Sequence, residues 1–99
     1  MSANNILSDK KFSPGKPEKK PIVDSSSFNI TRLCLKKGVI VPPHDDTHSA
    51  FFLVLEGKGM FTHGQGEVEL GQNDFLYIKV GESRGIRSLE DLVVLAINE

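Results

Sequence analysis

Phe51-Phe52-Leu53-Val54-Leu55-Glu56-Gly57-Lys58-Gly59-Met60-Phe61-Thr62 is the stretch on which the reading of the fold turns. Its apolar run, Phe51 to Leu55, has no polar interruption, so it lacks the one-sided pattern of a strand that borders water. The run stops at Glu56-Gly57-Lys58-Gly59, where two glycines supply the backbone freedom of a tight turn. Met60-Phe61-Thr62 then reads as a return strand, and the whole predicts a β-hairpin.

The same texture extends outward in both directions. Phe28 to Lys36 alternates loosely, Gly38 interrupts, and Val39-Ile40-Val41 forms a short run that Pro42-Pro43 bars from an interior strand, so a turn is expected there. His63-Gly64-Gln65-Gly66 marks a second tight turn, after which Val68 and Leu70 alternate with Glu67 and Glu69. Gly71-Gln72-Asn73-Asp74 leads into Phe75-Leu76-Tyr77-Ile78, Gly81-Glu82-Ser83 turns again, and Leu92 to Ile97 is a last apolar strand. No segment sustains a helical period, and turns recur about every ten residues, the spacing of an all-β sandwich or barrel.

Residues 1–21 read differently. Ser8 to Pro21 holds three prolines, a glycine and a single aromatic, Phe12, a composition that buries too little to offset the entropy of ordering it. A flexible basic, proline-rich tail over residues 1–21 and a barrel domain over 22–99 are therefore expected. The tail carries Lys10, Lys11, Lys16, Lys19 and Lys20 against Asp9 and Glu18, so the net charge of −1 conceals a basic leader on a more acidic barrel. That balance gives no reason to expect nucleic acid or a membrane as partner. With no apolar stretch of signal or membrane-spanning length, a cytoplasmic location is expected. The lone Cys34 excludes an internal disulfide and a thiolate-rich zinc site, and reads as a small buried hydrophobe.

Two strands are apolar on both faces. Phe51, Leu53 and Leu55 alternate with Phe52 and Val54, and Leu92, Val94 and Ala96 alternate with Val93, Leu95 and Ile97. A chain of 99 residues has little with which to cover both faces, so a homodimer packed sheet on sheet is expected, against the alternative of a better-covered monomer.

The run from Gly38 to His44, followed by Phe52-Leu53-Val54-Leu55-Glu56-Gly57, resembles the first motif of the cupin family. Gly71-Gln72-Asn73-Asp74-Phe75, Ile78 and Gly81-Glu82-Ser83-Arg84-Gly85 resemble the second. The resemblance implies a small double-stranded β-helix, the jelly-roll barrel of cupins. It also implies a metal cage made from two histidines two apart on a strand, a glutamate or third histidine, and a histidine from the second motif. Here His44 matches the first ligand and Asp46 stands at the second, while the third falls on Ala50 or Ser49 and the fourth on Arg84. Alanine has no donor atom and an arginine repels a dication, so the metal site is expected to be degenerate. His48 shares parity with His44 and Asp46, which keeps a His44, Asp46, His48 triad for iron, manganese, nickel or zinc as the alternative. His63, in its glycine-rich turn, reads as a surface residue.

Besides the plain reading that Asp46 and Arg84 both reach solvent, two readings of Arg84 follow. In one it pairs with Asp46 inside the barrel mouth, a fixed ion pair in place of the ion. In the other, together with Arg87, it receives a carboxylate or phosphate. Either way His44, Asp46, His48 and Arg84 are the ligand-binding candidates, for a metal-independent small-molecule-binding or dimerisation module that takes a small anionic ligand. The alternative is a metal-dependent enzyme of dioxygenase or isomerase type. A metal-free enzyme with His44 as general base is a third reading, with Tyr77 the sole tyrosine available as partner acid; Tyr77 itself reads as core or interface. The residues leave open whether the chain is an enzyme.

Overall fold

The computed structural model describes residues 3–64 and 66–99; Gln65, in the expected second turn, lies outside the described residues. Among the described residues, nine strands form two antiparallel sheets: β1 (Glu18–Asp24), β2 (Asn29–Leu35), β3 (Ile40–His44), β4 (Ala50–Glu56), β5 (Gly59–His63), β6 (Gly66–Leu70), β7 (Phe75–Ile78), β8 (Arg84–Ser88) and β9 (Leu92–Asn98). The first sheet runs β1-β2-β9-β4-β7 and the second β3-β8-β5-β6. This is the all-β jelly roll expected. Among the described residues there is no helix, hence none long and apolar enough to cross a membrane.

The inner faces of the two sheets close on Leu35, Val54, Phe61, Ile78, Leu92 and Val94, all without solvent exposure. Burying each such side chain contributes about 1.5–3 kcal/mol, which makes this layer the main stabilising element. Phe52 and Phe61 meet across the layer with ring centroids 5.7 Å apart.

The expected hairpin at Phe51–Thr62 does not form. β4 pairs with β9 and β7, and β5 with β8 and β6, so the chain crosses from one sheet to the other at Glu56–Lys58. Gly57 carries the crossing at φ 83°, where a Cβ would overlap the carbonyl oxygen of Asp91. The glycines mark a change of layer; on the run before them the inner-face Phe52 and Val54 are buried, while Phe51 and Leu53 on the outer face are only half-buried. The second turn is a hairpin: β5 pairs with β6 from Gly59↔Leu70 to His63↔Gly66.

Pro42 and Pro43 do not end the preceding strand. β3 continues extended to His44 but pairs with β8 alone, and its register shifts between Val41 and His44, where the prolines stand. An edge strand with a bulge accommodates residues that have no N–H to give. Gly85, across the ladder, permits the approach: a Cβ there would lie 2.9 Å from the Cα of Pro43.

The boundary expected between residues 21 and 22 falls inside β1. Strand pairing begins at Glu18↔Cys34 and includes Lys19↔Leu33 and Lys20↔Arg32, with a register shift after Pro21. Polar side chains hide this strand from a reading of the sequence, because its backbone bonds to β2 hold it. The segment from Ile6 to Lys10 lies against the outer face of the first sheet. Arg32 is 4% exposed and its guanidinium donates to the carbonyls of Ile6 (3.0 Å), Ser8 (2.6 Å) and Asp9 (3.2 Å), while Lys10 pairs with Glu56. Cys34 and Val93, opposite one another on that outer face, are buried. The small-hydrophobe reading of Cys34 holds.

The other half of the same face is open. Phe51 stacks on Phe75 at 5.4 Å between centroids, Phe75 and Tyr77 are 63% and 56% exposed, and Leu53, Leu95 and Ile97 beside them are half-buried. Tyr77 is therefore a surface residue and no part of the core.

Candidate functional site

At one end of the barrel the two sheets part around a cavity of about 190 Å³. The first sheet contributes Lys19, Thr31, Leu33, Phe52, Ala96 and Asn98; the second and its loops contribute Val41, His44, Asp46, Arg84, Gly85 and Ile86. Within the first sheet, strands contribute alternate residues, because side chains two apart share a face. The floor is apolar and the rim polar, the general make-up of a small-molecule site. The volume is below the ~300 Å³ of sites for drug-sized ligands, which limits the occupant to a small molecule.

Arg84 opens β8 and lies opposite His44 on one side and His63 on the other. It is 4% exposed, and no carboxylate lies within ion-pair distance of it among the described residues. Its Nη2 donates to the carbonyls of Lys79 and Glu82, both at 3.3 Å, and its Nε donates to Glu82 at 3.4 Å. These bonds are long, and Nη1 is buried with no hydrogen-bond partner among the described residues. A buried donor left unmatched costs about 1–3 kcal/mol, more on a charged group, so Arg84 keeps hydrogen-bonding capacity that its own fold does not use.

The direct Asp46–Arg84 ion pair expected from the sequence is absent among the described residues. The Gly81 turn offers carbonyls to the guanidinium, and Asp46 turns to His48 instead: Oδ1 accepts from the His48 backbone N–H and contacts its Nδ1, each at 3.0 Å. That side-chain bond, then the backbone bond, hold the Asp46 carboxyl below its ordinary range; the charge of Arg84 adds to the effect from a greater distance. The backbone carbonyl of Asp46 accepts from Gly81 N–H at 2.8 Å, which fixes the loop after β3 beside the start of β8.

The structure thus brings His44, Asp46 and Arg84 to one cavity and leaves His48 outside its lining, behind Asp46. His44 Nδ1 lies 3.2 Å from the carbonyl of Pro42. Ala50, at the expected third ligand position, is buried on the inner face, and Ser49 precedes it. Among the described residues no three His, Cys, Asp or Glu side chains converge as a metal group. His63, expected at the surface, is half-buried at the end of β5, opposite Arg84 in the β5–β8 ladder. Sequence reasoning does not reach Lys19, Thr31 and Asn98. Composition assigns Lys19 to the tail, and the other two give no signal until β2 and β9 are paired, when Thr31 meets Ala96 and Asn98 meets Asn29.

Residues 31–98 match the family described as a cupin domain. The chain belongs to the cupin family. No curated protein matches this cupin in sequence, but many solved structures share its fold. An RmlC-like cupin protein from Desulfovibrio desulfuricans is 24% identical, with a TM-score of 0.87 over 99% of this chain and 95% of that one. TT1209 from Thermus thermophilus is 20% identical, with a TM-score of 0.90 over 99% of this chain and 96% of that one. KdgF from Halomonas sp. is 18% identical, with a TM-score of 0.80 over 87% of this chain and 81% of that one. Likeness at these identities shows the fold alone.

The cupin cage implied by the motifs fits these residues poorly. Ala50 gives no donor, a buried guanidinium stands at the fourth position, and Asp46 is engaged with His48. The mouth of this cupin sets a buried guanidinium beside an apolar floor, and a guanidinium repels a dication.

Proposed function

We propose that this cupin is a metal-independent module that binds a small carboxylate in the barrel mouth and associates as a homodimer. The observation that carries the binding half is Arg84, which lines the cavity and whose Nη1 is buried without a partner among the described residues. A carboxylate in the cavity would offset a buried charge that has no counter-ion within ion-pair distance among the described residues. His44, beside Arg84, lines the same wall; Asp46 stands at the rim, with His48 holding it in place.

The dimer rests on the open half of the first sheet's outer face, where Phe51, Phe75 and Tyr77 lie together. Contiguous exposed aromatics of this kind mark interaction surfaces. A second copy presents the same patch, so a two-fold axis through it closes the contact. A cytoplasmic setting belongs to the same reading, and the buried free thiol of Cys34 suits a reducing compartment.

The test is calorimetric titration of a panel of small monocarboxylates into metal-stripped protein, repeated with Arg84→Lys. Saturable binding that the lysine variant weakens supports the reading, because lysine keeps the charge and loses the fork. The competing reading is a metal-dependent enzyme using His44, Asp46 and His48, and the Asp46–His48 contact favours it to the extent that it joins two of the three. Near-stoichiometric retention of iron, manganese, nickel or zinc, abolished by His44→Ala, would establish that reading instead.

A further inference from the structure

The charges around the cavity form a pattern that a simple carboxylate only half satisfies. Arg84 supplies a cation on the second sheet. Lys19, on β1 of the first sheet, supplies another from the facing wall, and among the described residues it has no ion-pair partner. Asp46 is an anion near Arg84: it lies two residues beyond His44, the cross-strand partner of Arg84, and its carbonyl is tied to Gly81. Its Oδ1 is engaged by His48, and among the described residues no bond occupies its other oxygen.

Two cations and one anion, with the anion beside one cation, define a complementary shape. The ligand needs a carboxylate for Arg84, a cationic donor next to that carboxylate for Asp46, and a second anion that reaches across to Lys19. A plain dicarboxylate would leave Asp46 facing like charge, and a plain monocarboxylate would leave Lys19 unmatched. Thr31 and Asn98 add neutral polar groups to the wall, and the cavity of about 190 Å³ limits the chain between the charged ends to a few carbons.

We propose that the ligand is a short amino dicarboxylate, held at its amino-acid end by Arg84 and Asp46 and at its distal carboxylate by Lys19. The proposal rests on the carboxylate reading above and names the substrate class for that site.

The experiment is calorimetry with three probes that differ by one group: 2-aminobutanedioate, butanedioate and 2-aminobutanoate. The wild type is expected to bind the first at least about tenfold more tightly than either of the others, since each lacks one charge-assisted contact. Lys19→Met is expected to remove the preference over 2-aminobutanoate. Asp46→Asn is expected to remove the preference over butanedioate. Both side chains reach solvent, so these variants fold, and the circular dichroism melt checks that they do. Equal binding of the three probes, or an equal loss for all three in Lys19→Met, overturns this inference and leaves the carboxylate module standing. No binding of any of the three, together with none from the monocarboxylate panel, overturns both.

Discussion

Arg84 and His44 are Cα partners across the β3–β8 ladder, and they bring a buried guanidinium and an imidazole side by side to the mouth of the barrel. The guanidinium holds the Gly81 turn through the carbonyls of Lys79 and Glu82 while one of its nitrogens stays unmatched. A bound carboxylate should therefore stabilise the fold by mass action, about 2.7 kcal/mol at a hundred times its Kd. Arg84→Met removes the buried charge and the fork together. Its melting temperature is expected to be insensitive to carboxylates that raise that of the wild type, and thermal melts with and without ligand check this.

The Asp46 carboxyl is held below its ordinary range first by the His48 side chain, then by the His48 backbone N–H. A carboxylate with a depressed folded-state pKa contributes stability above its unfolded value, and that contribution is lost as pH falls through the folded value. Asp46→Asn should thus narrow its stability gap from the wild type as the solution is acidified below the usual carboxylate range. Denaturant melts across that acid window measure the gap; a gap that stays constant contradicts the assignment.

Strand positions are legible in the sequence because alternation and turn residues are local signals. Strand partners are not. The run Phe51–Leu55 and the run Met60–Thr62 are close neighbours in the chain and belong to different sheets, since Gly57 turns the chain into the other layer. Pro42 and Pro43 read as an end of strand and are a bulge on an edge. At the site, motif positions point to His44, Asp46 and Arg84, whereas nothing points to Lys19, because its strand is made by backbone bonds to β2 and not by its own side chains. His63 is hidden for a related reason: its place beside Arg84 depends on pairing with β8.

Gly57→Ala tests the crossing. The substitution places a Cβ against the Asp91 carbonyl at a left-handed φ of 83°. The conformational term alone costs about 1–2 kcal/mol, and the overlap adds to it, so a clear fall in the urea midpoint is expected. Gly38→Ala, at φ 87° with open space around the new methyl, should show the conformational term alone and a smaller fall.

Arg32 anchors the amino-terminal segment through three carbonyls. Arg32→Met should release it, with amides of residues 3–12 exchanging faster and Cys34 reacting faster with a thiol reagent, while the barrel core keeps its protection. Hydrogen exchange and thiol labelling read the two effects independently.

Phe75→Glu or Tyr77→Glu places a charge in the open aromatic patch without touching the core. If a second copy covers that patch, sedimentation of either variant should move from dimer to monomer with little change in fold. A wild type that sediments as a monomer at high micromolar concentration contradicts the dimer.

The place of β9 bears on how the molecule comes into being. It is the last of the described strands in chain order, yet it lies in the middle of the first sheet, with β2 on one side and β4 on the other. Until it leaves the ribosome, those two strands have no common neighbour and each presents a bare hydrogen-bonding edge. Closure of the barrel therefore waits on this strand, and a growing chain that stalls before Leu92 exposes its apolar strand β4 to whatever else is nearby.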